Sequence, residues 1–256
     1  MSVVSRFDQG SVATLTMERP QARNALSMEL MSALIEAFES ISKDTSIKCV
    51  ILRGAGPAFC AGHDLKEMRA NRDRAFMAQT FETCTNLMLA ITNLRQPVIA
   101  QVHGIATAAG CQLVATCDLA VCADDARFAT PGVNIGLFCS TPMVALTRAV
   151  GRKAAMHMLL TGEMIDAAHA VRIGLVNTAV PSSKLHETVE ALAGGIAAKS
   201  GHVVALGKEA FSRQIDLPLA EAYTYAGSVM TENMMLRDAA EGIDAFLGKR
   251  KPTWCE

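Results

Sequence analysis

The chain has 256 residues, of which 50% are hydrophobic and only 19% charged, a balance that excludes a disordered chain and suggests extra buried surface in a large core or between subunits. Its 24 basic and 25 acidic residues leave a formal net charge of −1, so no global field draws it to phosphate backbones or anionic lipid, and nucleic acid is not expected as a partner. In chain order, residues 11–17 are β-branched and roughly alternating, which predicts a strand. Ser27 is placed to cap a helix whose Met31, Leu34, Ile35, Phe38 and Ile41 keep helical spacing. Residues 48–53 predict a short buried strand ending in the loop signal Gly54-Ala55-Gly56-Pro57. A helix over about 73–94, a strand at 98–102, a turn at His103-Gly104, a short helix from about Ala108 and a strand at 119–123 follow. Strands separated by helices imply crossover connections and largely parallel pairing. From Thr141 onward the pattern is helical (141–150, 153–161, 166–172, 182–199, 203–215, 219–235 and 239–249), broken by one expected strand at 174–180. The prediction is an α/β core over residues 1–195 and a helical section over 196–256.

Several functional classes fail on their residues. The stretches 96–117 and 128–147 carry no formal charge and are long enough to raise the membrane question. Pro97, His103, Gly104 and Gly110 in the first, and Pro131, Gly132, Gly136 and Pro142 in the second, would leave backbone groups unsatisfied in lipid. The eight cysteines contain no C-x-x-C pair, and the spacing of Cys111, Cys117 and Cys122 matches no usual zinc site, so no metal is expected. Residues 1–20 lack the apolar segment of a secretory signal. Reduced, buried thiols and a cytoplasmic location are therefore expected. Gly54-Ala55-Gly56 follows a strand, but Phe59 stands at the third glycine position of a dinucleotide fingerprint, so a turn is the better reading.

Two segments carry more chemistry. Residues 59–68 read FCAGHDLKEM, a tight Ala-Gly loop followed by Asp64 placed to cap a short helix. Residues 104–118 read GIATAAGCQLVATCD, a strand and a loop of small residues opening directly into a helix. Small residues let a ligand approach the backbone, and a helix N-terminus offers unpaired N–H donors. Each loop alone is also a common packing device; aimed together at one point they would form an oxyanion hole for a thioester-derived enolate.

Taken with the segments at 18–27 (ERPQARNALS), 56–68, 96–131, 174–181 (GLVNTAVP) and 241–254 (EGIDAFLGKRKPTW), these loops give a chain that resembles the enoyl-CoA hydratase/isomerase (crotonase) superfamily over essentially its full length. The resemblance implies a ββα superhelix with C-terminal helices, assembly as a homotrimer or hexamer, and a coenzyme A thioester as substrate or ligand with no other cofactor. It assigns the oxyanion donors to the backbone N–H groups of His63 and Ala109. It places Arg23, Ala25, Ala61, Asp64, Leu65, Lys66 and Gly110 along the coenzyme A cleft, with Phe246 and Lys249 closing over its nucleotide end and the 196–256 section serving trimerisation.

The catalytic acids depart from the family pattern. Hydratases of this family use two glutamates, and the matching positions here are Gln112 and Gly132. An amide orients water but does not accept its proton at neutral pH, and glycine does neither. The carboxylate used elsewhere in the family falls in the segment Gly136-Leu137-Phe138-Cys139-Ser140, which has none. Cys139 and Ser140 are nucleophile-type residues near the expected acyl pocket, with no base beside them in sequence; the His63 side chain is the other replacement candidate. The expectation is thus an acyl-CoA-binding protein of hydratase type with weak or altered activity. Different enolate-stabilising chemistry, or a non-catalytic acyl-CoA-binding or interaction role, are the alternatives.

Overall fold

The computed structural model describes residues 2–255, and its first elements follow from side-chain chemistry. Strands β1 (Val4–Gln9) and β2 (Val12–Met17) form an antiparallel hairpin around Gly10, whose φ of 58° suits glycine. Ser27 Oγ accepts the Leu30 N–H at 3.2 Å and starts α1 (Met28–Ser42), which buries Leu30, Met31, Leu34, Phe38 and Ile41. After β3 (Cys49–Gly54) and β4 (Ala58–Cys60), Asp64 caps α2 (Leu65–Ala70) and Asp73 caps α3 (Arg74–Thr92). Next come β5 (Val98–Val102), β6 (Ile105–Thr107), α4 (Ala109–Thr116), β7 (Leu119–Ala123) and β8 (Arg127–Ala129). Helices α5 (Ser140–Ala149) and α6 (Arg152–Thr161) precede β9 (Ile165–Asp166), α7 (Ala167–Arg172), β10 (Thr178–Val180) and α8 (Leu185–Ala197). The chain closes with α9 (Gly201–Gln214), α10 (Leu219–Met234) and α11 (Arg237–Leu247).

The strands build two sheets. One has the order β1-β2-β3-β5-β7-β10, with every pair after the opening hairpin parallel. Side chains alternate across a strand, so Val50 and Leu52 of β3 join Leu34 and Phe38 of α1 and Leu87 and Ile91 of α3 on one face. Cys49 and Ile51 join Leu185 and Val189 of α8 on the other. Burial on both faces is why the central strands read as unbroken apolar runs. The second sheet, β4-β6-β8-β9, is built from strands of two or three residues. It stacks the ends of three successive crossovers side by side and carries the loops that form the site.

The structure adds β1, which the sequence-based expectation lacked, and differs from it further in two places. The strand expected at 174–180 is confined to β10, because residues 174–176 wrap the end of α7: the Leu175 N–H donates to Ala170 O at 2.9 Å, and Gly174 has φ 85°. The second sheet is absent from the sequence reading, since runs of three residues carry no readable period. No helix of the described residues is long and apolar enough to cross a membrane, and among them no three His, Cys, Asp or Glu gather as metal ligands. Seven of the eight cysteines are buried free thiols and Cys255 is an exposed one.

Candidate active site

Three segments are laced into one platform by backbone hydrogen bonds. The Ala61 N–H donates to Arg23 O (3.0 Å), Leu26 N–H to Gly62 O (2.7 Å) and Asp64 N–H to Leu26 O (3.0 Å), which ties residues 23–26 to residues 61–64. Thr107 Oγ1 donates to Ala61 O (3.1 Å), and the Ala108 N–H to Ala129 O (2.9 Å), bringing in the start of α4 and the end of β8. Side chains outside the expected set brace the platform. Asn24, fully buried with φ 53°, donates to Ala55 O (2.9 Å) and Ala58 O (2.8 Å). Arg19 donates to Ala25 O and pairs with Asp64 at 2.8 Å. Glu67 accepts the Met28 N–H at 2.9 Å.

The two small-residue loops meet at Gly62. Its φ of 95° is open to glycine, and an added Cβ would lie 2.9 Å from the Ala108 Cβ and 3.4 Å from the Ala109 nitrogen. Gly62 is thus the residue that lets the loops touch, directly before His63 in sequence and close to the Ala109 nitrogen. Among the described residues neither N–H has a hydrogen-bond acceptor. Ala108 holds φ 50° and ψ −117°, a conformation that costs a non-glycine residue about 1–3 kcal/mol and persists where surroundings over-determine it. Gly110 serves packing, because a Cβ there would lie 2.1 Å from Cys60 O; α4 therefore sits directly on the backbone of β4.

On the α3 and α4 side of this point the side chains are neutral. The His63 ring packs edge-on against Phe81 of α3, with centroids 5.4 Å apart at 87°. Burial pulls its pKa down to about 4, so it is uncharged at neutral pH, and its buried Nε2 has no hydrogen-bond partner among the described residues. Gln112, one turn after Ala109 on α4, is 5% exposed, and the Cys84 thiol donates to its Oε1 at 3.9 Å. A Cβ on Gly132 would lie 2.9 Å from Leu137 O and 3.0 Å from Cys139 Sγ. The Cys139 thiol therefore fills the space where a side chain at position 132 would begin. Burial raises the Cys139 pKa despite the opposing Gly132 N–H, and burial pushes Cys60, Cys84 and Cys111 up to about 12. These thiols stay protonated and are poor nucleophiles. Ser140 Oγ donates to Phe138 O at 3.3 Å in an exposed turn and meets no base among the described residues.

The expected cleft residues fall into groups. Arg23, exposed with φ 51°, together with Ala25, Ala61, Leu65 and Lys66, lies on the platform segments. Asp64 is there too, but both of its oxygens are engaged, Oδ1 by the Lys66 and Glu67 N–H groups of the α2 cap and Oδ2 by Arg19. Burial alone would raise the Asp64 pKa, yet Arg19 and the capping N–H groups hold it below the usual carboxylate value. Phe246 (82% exposed) and Lys249 lie on and just beyond α11, and among the described residues no hydrogen bond or ion pair joins either to residues 61–66. A cavity of about 690 Å3 lies elsewhere, between the end of α3 (Thr92, Leu94) and α9 (Leu206, Lys208, Glu209), where Lys208 is already committed to Asp118 at 2.7 Å.

With this geometry in hand, the comparisons with known proteins are specific. The sequence model of the family described as enoyl-CoA hydratase/isomerase matches residues 8–256. The rat protein named enoyl-CoA hydratase domain-containing protein 3, mitochondrial, is 45% identical over 252 residues, covering 98% of this chain and 84% of the relative. The human enoyl Coenzyme A hydratase domain-containing protein 3 crystal structure superposes with a TM-score of 0.96 at 45% identity, covering 98% of this chain and 100% of that one. A Mycobacterium smegmatis enoyl-CoA hydratase crystal structure gives a TM-score of 0.96 at 54% identity, covering 98% of each chain. The cytoplasmic expectation is corrected by these relatives, since the rat, mouse and human proteins are all named mitochondrial. The thiols that motivated it are buried in an apolar core, which explains their reduced state whatever the compartment. Matched from residue 8 to its last residue, and superposing on solved members along almost its whole length, the chain belongs to the enoyl-CoA hydratase/isomerase family.

Proposed function

We propose that this protein binds coenzyme A thioesters through two backbone donors, the N–H groups of His63 and Ala109, and that its capacity to hydrate an enoyl thioester is strongly reduced. The observation that carries the reading is the contact of the two loops at Gly62, near which the N–H groups of His63 and Ala109 both lack an acceptor among the described residues. Fixed donors in a partly buried site stabilise developing negative charge on an oxygen without reorganisation. Gln112 and Gly132 supply no carboxylate, and each lost general acid or base typically costs about 10²–10⁴-fold in rate. Ala109 is the first residue of α4, where its N–H has no partner within the helix, so Ala109→Pro removes one donor without breaking a helical hydrogen bond, and the variant's fold is checked by circular dichroism. In titration calorimetry this variant should lose affinity for an enolate-mimicking thioester while retaining free coenzyme A. Equal losses for both ligands would refute the oxyanion assignment.

A trimer or hexamer is part of the same reading. It is supported by the apolar surface that α9–α11 leave uncovered, including Phe211 (63% exposed), Leu219 (74%), Tyr223 (73%) and Leu247 (73%). Light scattering at micromolar concentration should give a mass of three or six chains; a stable monomer would contradict it.

A further inference from the structure

Two cavities meet at the far end of α3, away from the platform. Phe81, which touches the His63 ring, lies about 16 Å back along the helix from Thr92, at 1.5 Å per residue. Thr92 lines the cavity of about 690 Å3 between α3 and α9, and a smaller one of about 140 Å3 is lined by Ile47, Gln96 and Trp254. Arg95 and His202 line both, so the two join there. Three observations converge on this junction. First, α9 begins at it: Ser200 Oγ accepts the Val203 N–H at 3.2 Å, and the N–H groups of Gly201 and His202 have no acceptor among the described residues. The start of a 14-residue helix thus presents free donors and the positive end of its dipole. Second, the exposed Arg95 makes no hydrogen bond or ion pair among the described residues. Third, Gln96 is 5% exposed, and its Nε2 donates to Ile41 O (3.0 Å), Asp44 O (3.2 Å) and Ile47 O (3.2 Å). Its Oε1 is left buried without a donor among the described residues, on the wall of the smaller cavity. A buried acceptor without a partner is an exception that calls for a ligand, a water or a functional reason.

We propose that this junction is a second binding site, for a nucleoside phosphate, with the phosphate on Arg95 and the Gly201 and His202 N–H groups and the base in the smaller cavity beside Gln96 and Trp254. The proposal is independent of the thioester reading. Guanidinium and helix-start donors select an oxyanion at one end of the ligand. The unpaired Gln96 oxygen and the Trp254 wall select a planar head that carries N–H donors at the other. The smaller cavity has room for one heterocycle, and a further phosphate extends into the larger one. There Arg213 lies over the Tyr225 ring at 4.7 Å and has no carboxylate partner among the described residues. Lys208 adds no free charge, because Asp118 holds it at 2.7 Å. Glu209, the carboxylate on the larger cavity, is two turns along α9, about 10 Å from the helix start, and leaves the phosphate position clear.

The test is titration calorimetry on the full-length protein with ADP, adenosine and inorganic phosphate as probes, with and without saturating crotonyl-CoA. ADP should bind more tightly than either fragment and keep its affinity when crotonyl-CoA is present. Arg95→Gln removes an exposed side chain that no other residue depends on, so the fold should stand. It should weaken ADP at least about tenfold, the worth of a lost charge-assisted hydrogen bond, and leave crotonyl-CoA affinity unchanged. Four results would each overturn the proposal: no ADP binding, ADP displaced by crotonyl-CoA, ADP binding indifferent to Arg95→Gln, or phosphate binding as tightly as ADP. Failure of crotonyl-CoA to bind would count against the thioester reading alone, and the dependence of ADP on Arg95 would still decide this one.

Discussion

The backbone wall of the site and its side-chain wall stand in opposite conditions. At residues 61–64 and 107–109 everything is set: Gly62 permits the contact, Thr107 and Ala108 are hydrogen-bonded across, and a strained Ala108 packs against Gly62. At Gln112 and residues 132–140 nothing can carry a proton at neutral pH. The amide of Gln112 is held by a thiol, and Cys139 occupies the start of the space a side chain at 132 would need. In the proposed function, binding and polarisation would depend on the first wall and proton transfer on the second, so the two could be altered separately.

The largest expected effect comes from rebuilding the second wall. Gln112→Glu restores one carboxylate at nearly constant volume. Gly132→Glu by itself should destabilise by about 1–3 kcal/mol, because its Cβ meets Leu137 O and the Cys139 sulfur. Cys139→Ala frees part of that space. The triple variant Gln112→Glu, Gly132→Glu, Cys139→Ala is expected to hydrate crotonyl-CoA about 10²-fold faster than the natural protein, the low end of what restored acid–base groups supply. Loss of the conjugated-thioester absorbance measures it. A folded triple variant that binds crotonyl-CoA without any gain would show that the first wall does not aim its ligand at the second.

The residues of both walls are legible in the sequence, and the contacts that place them are not. Ser27, Asp64 and Asp73 announce their helices through capping chemistry, and the small residues at 61–62 and 104–110 mark loops where backbones approach closely. The platform's braces are harder to see. Arg19 and Asn24 lie five positions apart in one short segment, but nothing local says that Asn24 adopts φ 53° to reach Ala55 and Ala58, or that Arg19 crosses to Asp64. Cys139 is seven positions from Gly132, and only the turn closed by the Leu137 N–H on Gly132 O (2.9 Å) places its sulfur there. Contacts of that kind depend on tertiary closure and leave no periodic trace.

A second prediction concerns the His63 ring. It packs edge-on against Phe81, and burial holds its folded pKa at about 4 against an ordinary 6.5. As the pH falls from 6.5 towards 4, the unfolded chain takes up a proton that the folded chain refuses, so stability present at pH 7 is progressively lost. By pH 5 the loss from this one group should be about 2 kcal/mol. Urea unfolding of the natural protein and His63→Phe at pH 7 and pH 5 isolates it: the variant should lack that increment of acid sensitivity. Parallel curves for the two proteins would place the ring in contact with water.

The smallest effect asks whether the strain in the first wall serves the ligand. Ala108 carries about 1–3 kcal/mol of strain for its φ of 50° and ψ of −117°. Glycine reaches that conformation freely, but it also has more freedom to lose on folding, so the two effects largely offset. Ala108→Gly should therefore change folding stability by less than about 1 kcal/mol in either direction. Its effect on binding has a definite sign. The Ala108 methyl sits against Gly62, where it limits how the two loops move relative to each other. Removing it leaves both N–H donors present but less fixed, and some ordering must then accompany binding. Thioester affinity should fall roughly threefold, an amount set by the ordering cost of a single short loop, with free coenzyme A affinity held. Tighter thioester binding by Ala108→Gly would mean that the strained alanine opposes the ligand, and that the geometry of the donor pair is a by-product of how α4 packs on β4.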